Sequence, residues 1–118
     1  MSEENFKEKR KAPRFKADGK VGLVFEDGDT AIKGQLVDIS RIGVFVMVNQ
    51  PLESWAYKMC RMEITTRVND EELLFKGRSV IVRIAAKGVG MYINEIDEEF
   101  RLNFVKFMGY VQVPENAV

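Results

Sequence analysis

Apolar and polar residues alternate along most of this chain, and only its last quarter keeps a different rhythm. Val21, Leu23 and Phe25 alternate with Gly22 and Val24, which predicts a strand, and Glu26-Asp27-Gly28-Asp29 follows as a hairpin turn centred on Asp-Gly. A second strand is expected from about Thr30 to Ile39. If Val37 and Ile39 face the core, period 2 turns Asp38 and Ser40 to the opposite face. Gly43 then lets the backbone turn tightly or approach a ligand closely before Val44 to Val48 starts the next strand. After a loop from Asn49 to Trp55, the stretch from Tyr57 to Val68 puts Cys60, Met62, Ile64, Thr66 and Val68 on one face and Arg61, Glu63, Thr65 and Arg67 on the other. Asn69-Asp70 turns the chain into a strand from Glu72 to Ile84, where Gly77 reads as a bulge or bend, and Lys87-Gly88 turns it again into Val89 to Glu95. These are six strands.

The last element differs, because Ile96, Phe100, Phe104, Phe107, Met108 and Val111 recur at steps of three and four, which is helical spacing. Asp97 is placed to cap this helix, Glu98 and Glu99 complement its dipole, and Gly109 marks its end. Residues 112–118 are a short tail. Residues 1–18 are polar and charged and carry neither period, so they are expected to form a flexible basic arm without secondary structure of its own.

Composition narrows the chemistry. With one cysteine, Cys60, and no histidine, the chain has no internal disulfide, no zinc site of the usual kind and no histidine base. No set of nucleophile, base and metal is apparent, so the chain is read as a non-enzyme without cofactor or metal. Cys60 is expected to be buried and inert. The longest apolar run, Val44 to Val48, is far short of a membrane span, and the charged start does not resemble a signal peptide. A cytoplasmic protein without membrane insertion is therefore expected. The net charge of zero hides an asymmetry, because Lys7 to Lys20 carries seven basic residues against Glu8 and Asp18. A local basic arm on an acidic body suits a compact anionic ligand better than DNA or RNA.

Two short stretches supply matching chemistry. Arg10-Lys11-Ala12-Pro13-Arg14 offers two guanidiniums four residues apart, and Asp38-Ile39-Ser40-Arg41-Ile42-Gly43 offers a carboxylate, a hydroxyl and a glycine between two strands. A guanidinium forks onto phosphate oxygens or onto guanine O6 and N7. A carboxylate accepts from guanine N1 and N2, so a ligand carrying both guanine and phosphate would satisfy both stretches.

The Arg10-x-x-x-Arg14 pair, the Asp38-x-Ser40-x-x-Gly43 turn, Val82-Arg83 and Val89-Gly90-Met91-Tyr92 together resemble a PilZ domain from about Lys9 to Tyr110. The resemblance implies a mainly β fold: a six-stranded antiparallel split β-barrel over residues 19–96, a flexible N-terminal arm over residues 1–18, and a C-terminal helix over residues 97–111 that closes one barrel opening. It also implies a bacterial receptor for cyclic di-GMP that binds through Arg10, Arg14, Asp38, Ser40 and Gly43. Its binding would regulate an unidentified downstream protein in motility, biofilm or exopolysaccharide output. Arg41, Arg83 and Gly90 are further candidate contacts, although Arg83, expected opposite Val80, Val82 and Ile84, also reads as a solvated strand residue. Lys9 precedes the first arginine, at the position where the family resemblance implies an influence on whether one ligand molecule binds or two stacked ones. A long cation there is expected to neutralise the extra phosphates of a pair. Trp55 is expected to cover one end of the barrel. Two other readings compete: an adaptor of this fold that works through protein contacts in pilus, flagellar or chemosensory assembly, and a barrel binding single-stranded RNA. The RNA reading needs exposed aromatics, whereas Phe25, Phe45, Phe75 and Tyr92 fall among apolar neighbours.

Overall fold

Seven strands and one helix organise residues 12–112, the part of the chain described by the structure, a computed structural model. The strands are β1 (Phe15–Lys16), β2 (Lys20–Phe25), β3 (Ala31–Ile39), β4 (Gly43–Met47), β5 (Met59–Val68), β6 (Glu71–Ala85) and β7 (Gly88–Ile96), and α1 spans Arg101–Val111. All pairings are antiparallel, in the order β1-β3-β2-β5-β6-β7-β4. β3 also pairs with β4, which closes β2 to β7 into the expected six-stranded barrel.

Local chemistry explains the regular parts. At the β2–β3 hairpin Gly28 takes φ +80°, and the Asp27 carboxylate accepts from the Asp29 and Thr30 N–H groups at 2.8 and 3.0 Å. These donors hold the Asp27 carboxyl below its ordinary pKa. In β5 the predicted inward set, Cys60, Met62, Ile64, Thr66 and Val68, is buried throughout. Burial also pushes the Cys60 thiol up to about 11, so it stays protonated and inert at neutral pH.

The helix packs on the barrel against β6. Phe107 is 1% exposed and, with Phe104, sits on Phe75 at ring separations of 5.8 and 5.3 Å. Burying a side chain of this size contributes about 1.5–3 kcal/mol. Asn103 Nδ2 donates to the Leu74 carbonyl at 2.8 Å and sets the helix's height on β6. Trp55 covers part of the core with its ring edge-on to Phe25 at 5.6 Å.

Several expectations are corrected. The arm is not wholly without structure, because Phe15–Lys16 forms β1 against the end of β3. β3 does not alternate to its end: its register against β4 shifts between Leu36 and Asp38, so Leu36 and Ile39 face inward while Val37 is 39% exposed. A second shift, between Ile81 and Arg83, extrudes Val82, and the inward side of β6 is Phe75, Gly77, Ser79 and Ile81 rather than the side of Val80 and Val82. A third lies between Arg78 and Ser79, where Asn94 of β7 is the extra residue, so Gly77 itself stays in register opposite Ile96. Asp97 does not cap the helix with its side chain. Its carboxylate instead accepts from Arg61 at 2.6 and 3.3 Å, and a 3₁₀ turn over Glu98–Phe100 leads into α1, which runs past Gly109. That fork raises the Arg61 pKa further above its ordinary value.

A Cβ at Gly77 would run into the Glu95 carbonyl of the neighbouring strand, whereas one at Gly22 would meet nothing within 4 Å. Gly77→Ala is therefore expected to destabilise the fold by about 1–3 kcal/mol and Gly22→Ala to change it by less than about 0.5 kcal/mol. Urea denaturation of the two variants beside the wild type checks the contrast.

Candidate ligand site

The β3–β4 turn is built around the Ser40 hydroxyl. Ser40 Oγ accepts from the Ile42 and Gly43 N–H groups at 3.2 and 3.1 Å, and the Ser40 N–H donates to the Gly43 carbonyl at 2.8 Å. The side chain is 3% exposed, so this hydroxyl is committed to the turn. The hydroxyl thus shapes the turn on which the candidate site is built. Gly43 opens β4 without a positive φ, and its missing Cβ lets the Met91 carbonyl of β7 approach, since a Cβ there would lie 2.7 Å from that oxygen. The Ile93 N–H donates to the Ile42 carbonyl at 2.8 Å and ties the turn to β7.

On this turn the bulge at Val37 turns Asp38 outward, and the arm meets it there. Arg14 Nη1 lies 3.4 Å from Asp38 Oδ1, with β1 paired so that Lys16 stands opposite Asp38. The two sequence motifs, twenty-four residues apart, therefore share one location. Their side chains are 56% and 26% exposed, so the pair contributes about 0–1 kcal/mol and is readily exchanged for another partner. Arg10 and Lys9 lie outside the described residues. Arg41 is exposed at the tip of the turn.

Cross-strand register extends the site around the barrel. Asp38 stands opposite Phe45, Phe45 opposite Gly90, and Gly90 opposite Arg83, forming one outward row over β3, β4, β7 and β6. The Arg83 guanidinium reaches back over Gly90 and lies 5.4 Å from the Phe45 ring centroid. A Cβ on Gly90 would meet Arg83 Cβ at 3.4 Å, so the glycine keeps this stretch low. At about 4.8 Å per strand the row spans roughly 14 Å from Asp38 to Arg83, the scale of a nucleotide rather than a single phosphate.

Phe45 was not legible as a site residue. It lies inside the apolar run from Val44 to Val48, where periodicity cannot separate faces, and the structure turns it outward between buried Val44 and Val46. Tyr92 is likewise outward, at 47% exposed. The row offers guanidinium donors, one carboxylate acceptor and an aromatic face. Among the described residues no cluster of three or more metal-ligating side chains is present.

Comparison with known proteins gives concordant results. The sequence model of the family described as "PilZ domain" matches residues 8–109. No curated protein matches the chain. The crystal structure of the PilZ domain of CeSA from a cellulose-synthesizing bacterium is similar at TM-score 0.60 and 18% identity over 82% of this chain and 95% of that one, a likeness that shows the fold. The Bacillus subtilis inhibitor of motility (MotI/DgrA) is similar at TM-score 0.60 and 16% identity over 81% of this chain; the match covers only 50% of that protein, so the likeness concerns one part of it.

Ser40→Ala leaves two turn N–H groups without their acceptor and is expected to destabilise the protein by about 1–3 kcal/mol. An unchanged melting temperature would contradict the role given to the hydroxyl.

Proposed function

The chain belongs to the PilZ domain family, whose members are in general receptors or effectors for cyclic di-GMP, and from that premise we propose that the row from Arg14 to Arg83 is its cyclic di-GMP site. The observation that carries this reading is the contact between Arg14 and Asp38, which brings the arm and the turn onto one ligand-sized surface. Binding exchanges a weak, half-exposed ion pair for stronger ones. Arg14 leaves Asp38 for a phosphate or for guanine O6 and N7, and Asp38 is released to accept from guanine N1 and N2. Phe45 offers its face to a base, Gly90 leaves room above the sheet, and Arg83 supplies a second cation. Ser40 and Gly43 hold the turn in shape. Arg41, exposed at its tip, supplies a further cation for a second phosphate.

Arg10 completes the arm, and Lys9 favours two stacked ligand molecules by neutralising their added phosphates. Each charge-assisted hydrogen bond returns about 1.5–3 kcal/mol. Ordering the backbone costs about 1–2 kcal/mol per residue, so the arm closes only when several bonds form together. No reaction is performed. The change in shape and charge of the arm is the signal that a downstream protein senses, with motility, biofilm or exopolysaccharide output as the regulated process in the bacterial cytoplasm.

Isothermal titration of the full chain with cyclic di-GMP is expected to saturate at two molecules per chain. Absence of heat at high micromolar ligand would overturn the reading, while saturation at one would remove only the role of Lys9. Arg14→Ala should weaken binding by about 1–3 kcal/mol, the value of one bidentate guanine contact, with little change in melting temperature. Asp38→Ala should reduce the preference for cyclic di-GMP over cyclic di-AMP more than it reduces folding stability. Equal binding of both nucleotides by the wild type would exclude the role given to Asp38.

A further inference from the structure

On the other side of β1 from the ligand row lies a groove of about 1370 Å³. It exists because β1 and β2 are one broken strand. β5 pairs with β2 only as far as Thr65 opposite Lys20, yet β5 continues to Val68. Around the break, Thr66 Oγ1 donates to the Asp18 carbonyl at 2.6 Å and the Leu36 N–H donates to the Gly19 carbonyl at 2.9 Å. The wall opens beyond these contacts, and the C-terminal turns of α1 supply Phe107, Tyr110 and Val111 to its lining.

The lining has an excess of unpaired cations. Lys16, Lys20 and Arg67 line the groove together with Asp18 and Glu72, the last standing beside Arg67 on the neighbouring strand. A shallower hollow of about 460 Å³ shares Lys20, Gln35 and Thr65 with it and adds Lys33, while its Glu63 is already paired with Lys76 at 3.4 Å. Lys16, Lys20, Lys33 and Arg67 enter no ion pair among the described residues. Between them are apolar surfaces, Val37 at 39% and Tyr110 at 47% exposed. At the hollow's floor Gly22 leaves the sheet uncovered.

We propose that this groove and hollow together bind an extended acidic segment of a partner protein, with one or two aliphatic side chains among its carboxylates. From the level of Lys33 and Glu63 to that of Arg67 is four strand residues, roughly 13 Å, which accommodates four or five residues of extended chain. Carboxylates placed two apart in such a segment point to one side, toward the lysines. Its aliphatic side chains then meet Val37 and Tyr110. A nucleic acid fits less well, because the lining offers one exposed aromatic and no stacking series. A membrane surface fits less well because the cations line a concavity.

The groove shares a wall with the ligand row: Lys16 lines the groove and stands opposite Asp38, two residues after Arg14. Moving Arg14 off Asp38 therefore alters one wall of the groove, and this coupling rests on the nucleotide reading above. The test is amide-shift mapping of the ¹⁵N-labelled full chain with the hexapeptide Glu-Leu-Glu-Glu-Leu-Glu. Saturable shifts are expected at Lys16 to Lys20, Gln35, Thr65 to Asn69, and Tyr110 to Val111. The double variant Lys20→Glu with Arg67→Glu should weaken the peptide at least tenfold and leave the melting temperature and cyclic di-GMP titration unchanged. Absence of shifts at millimolar peptide, equal shifts with the lysine counterpart Lys-Leu-Lys-Lys-Leu-Lys, or tighter binding of phosphatidylglycerol vesicles or oligothymidylate would overturn the proposal. Peptide binding that persists in a chain indifferent to cyclic di-GMP would sink the nucleotide reading alone.

Discussion

A closed barrel of six strands has one small interior, and every inward position along every strand must fill it. That constraint imposes strict alternation, and the only way to change which residues face out is to insert one that pairs with nothing. The protein does this at Val37 and at Val82. Each bulge is followed at once by a charged residue, Asp38 after the first and Arg83 after the second. Bulges re-aim side chains in this manner beside binding sites. The two charged ends of the candidate site thus owe their direction to irregularities in the sheet.

What lies between them is kept flat by small residues. Phe45 lies over Gly88, where a Cβ would approach its ring to 2.8 Å, and beside Gly90, across which Arg83 reaches. Gly43 draws β4 against β7 from the same side of the barrel. The glycines of β4 and β7 therefore serve the surface as well as the sheet. Substituting larger residues would raise the floor and separate the cation from the ring.

Rigid and exchangeable interactions are separated by burial. Ser40 is buried and its network half-buried, so leaving the N–H groups unpaired would carry a desolvation penalty that holds the turn in one shape. The Arg14–Asp38 pair is open to water and weakly held, so either partner is readily exchanged. A fixed acceptor beside a replaceable cation is what a receptor needs if binding is to change its outline. β1 joins this pair to the groove, because Lys16 stands opposite Asp38 and also lines the groove.

The strands, the Asp-Gly hairpin, the helix and both motifs were legible in the residues alone, because each depends on a local period or on turn chemistry within a few positions. β5 shows this most clearly, with all five predicted inward residues buried. The faces taken by Val37, Ser40, Phe45 and Val82 were not legible. A bulge is a relation between two strands, and neither strand's own pattern records the extra residue. An unbroken apolar run such as Val44 to Val48 carries no parity at all. Likewise the sequence shows Asp97 as a helix cap, but only the fold brings Arg61 within 2.6 Å to claim its carboxylate. Period and turn chemistry determined which elements form and which residues carry the charge. The closing of the sheet on itself decided which of those residues meet, since that depends on contacts between positions far apart in the chain.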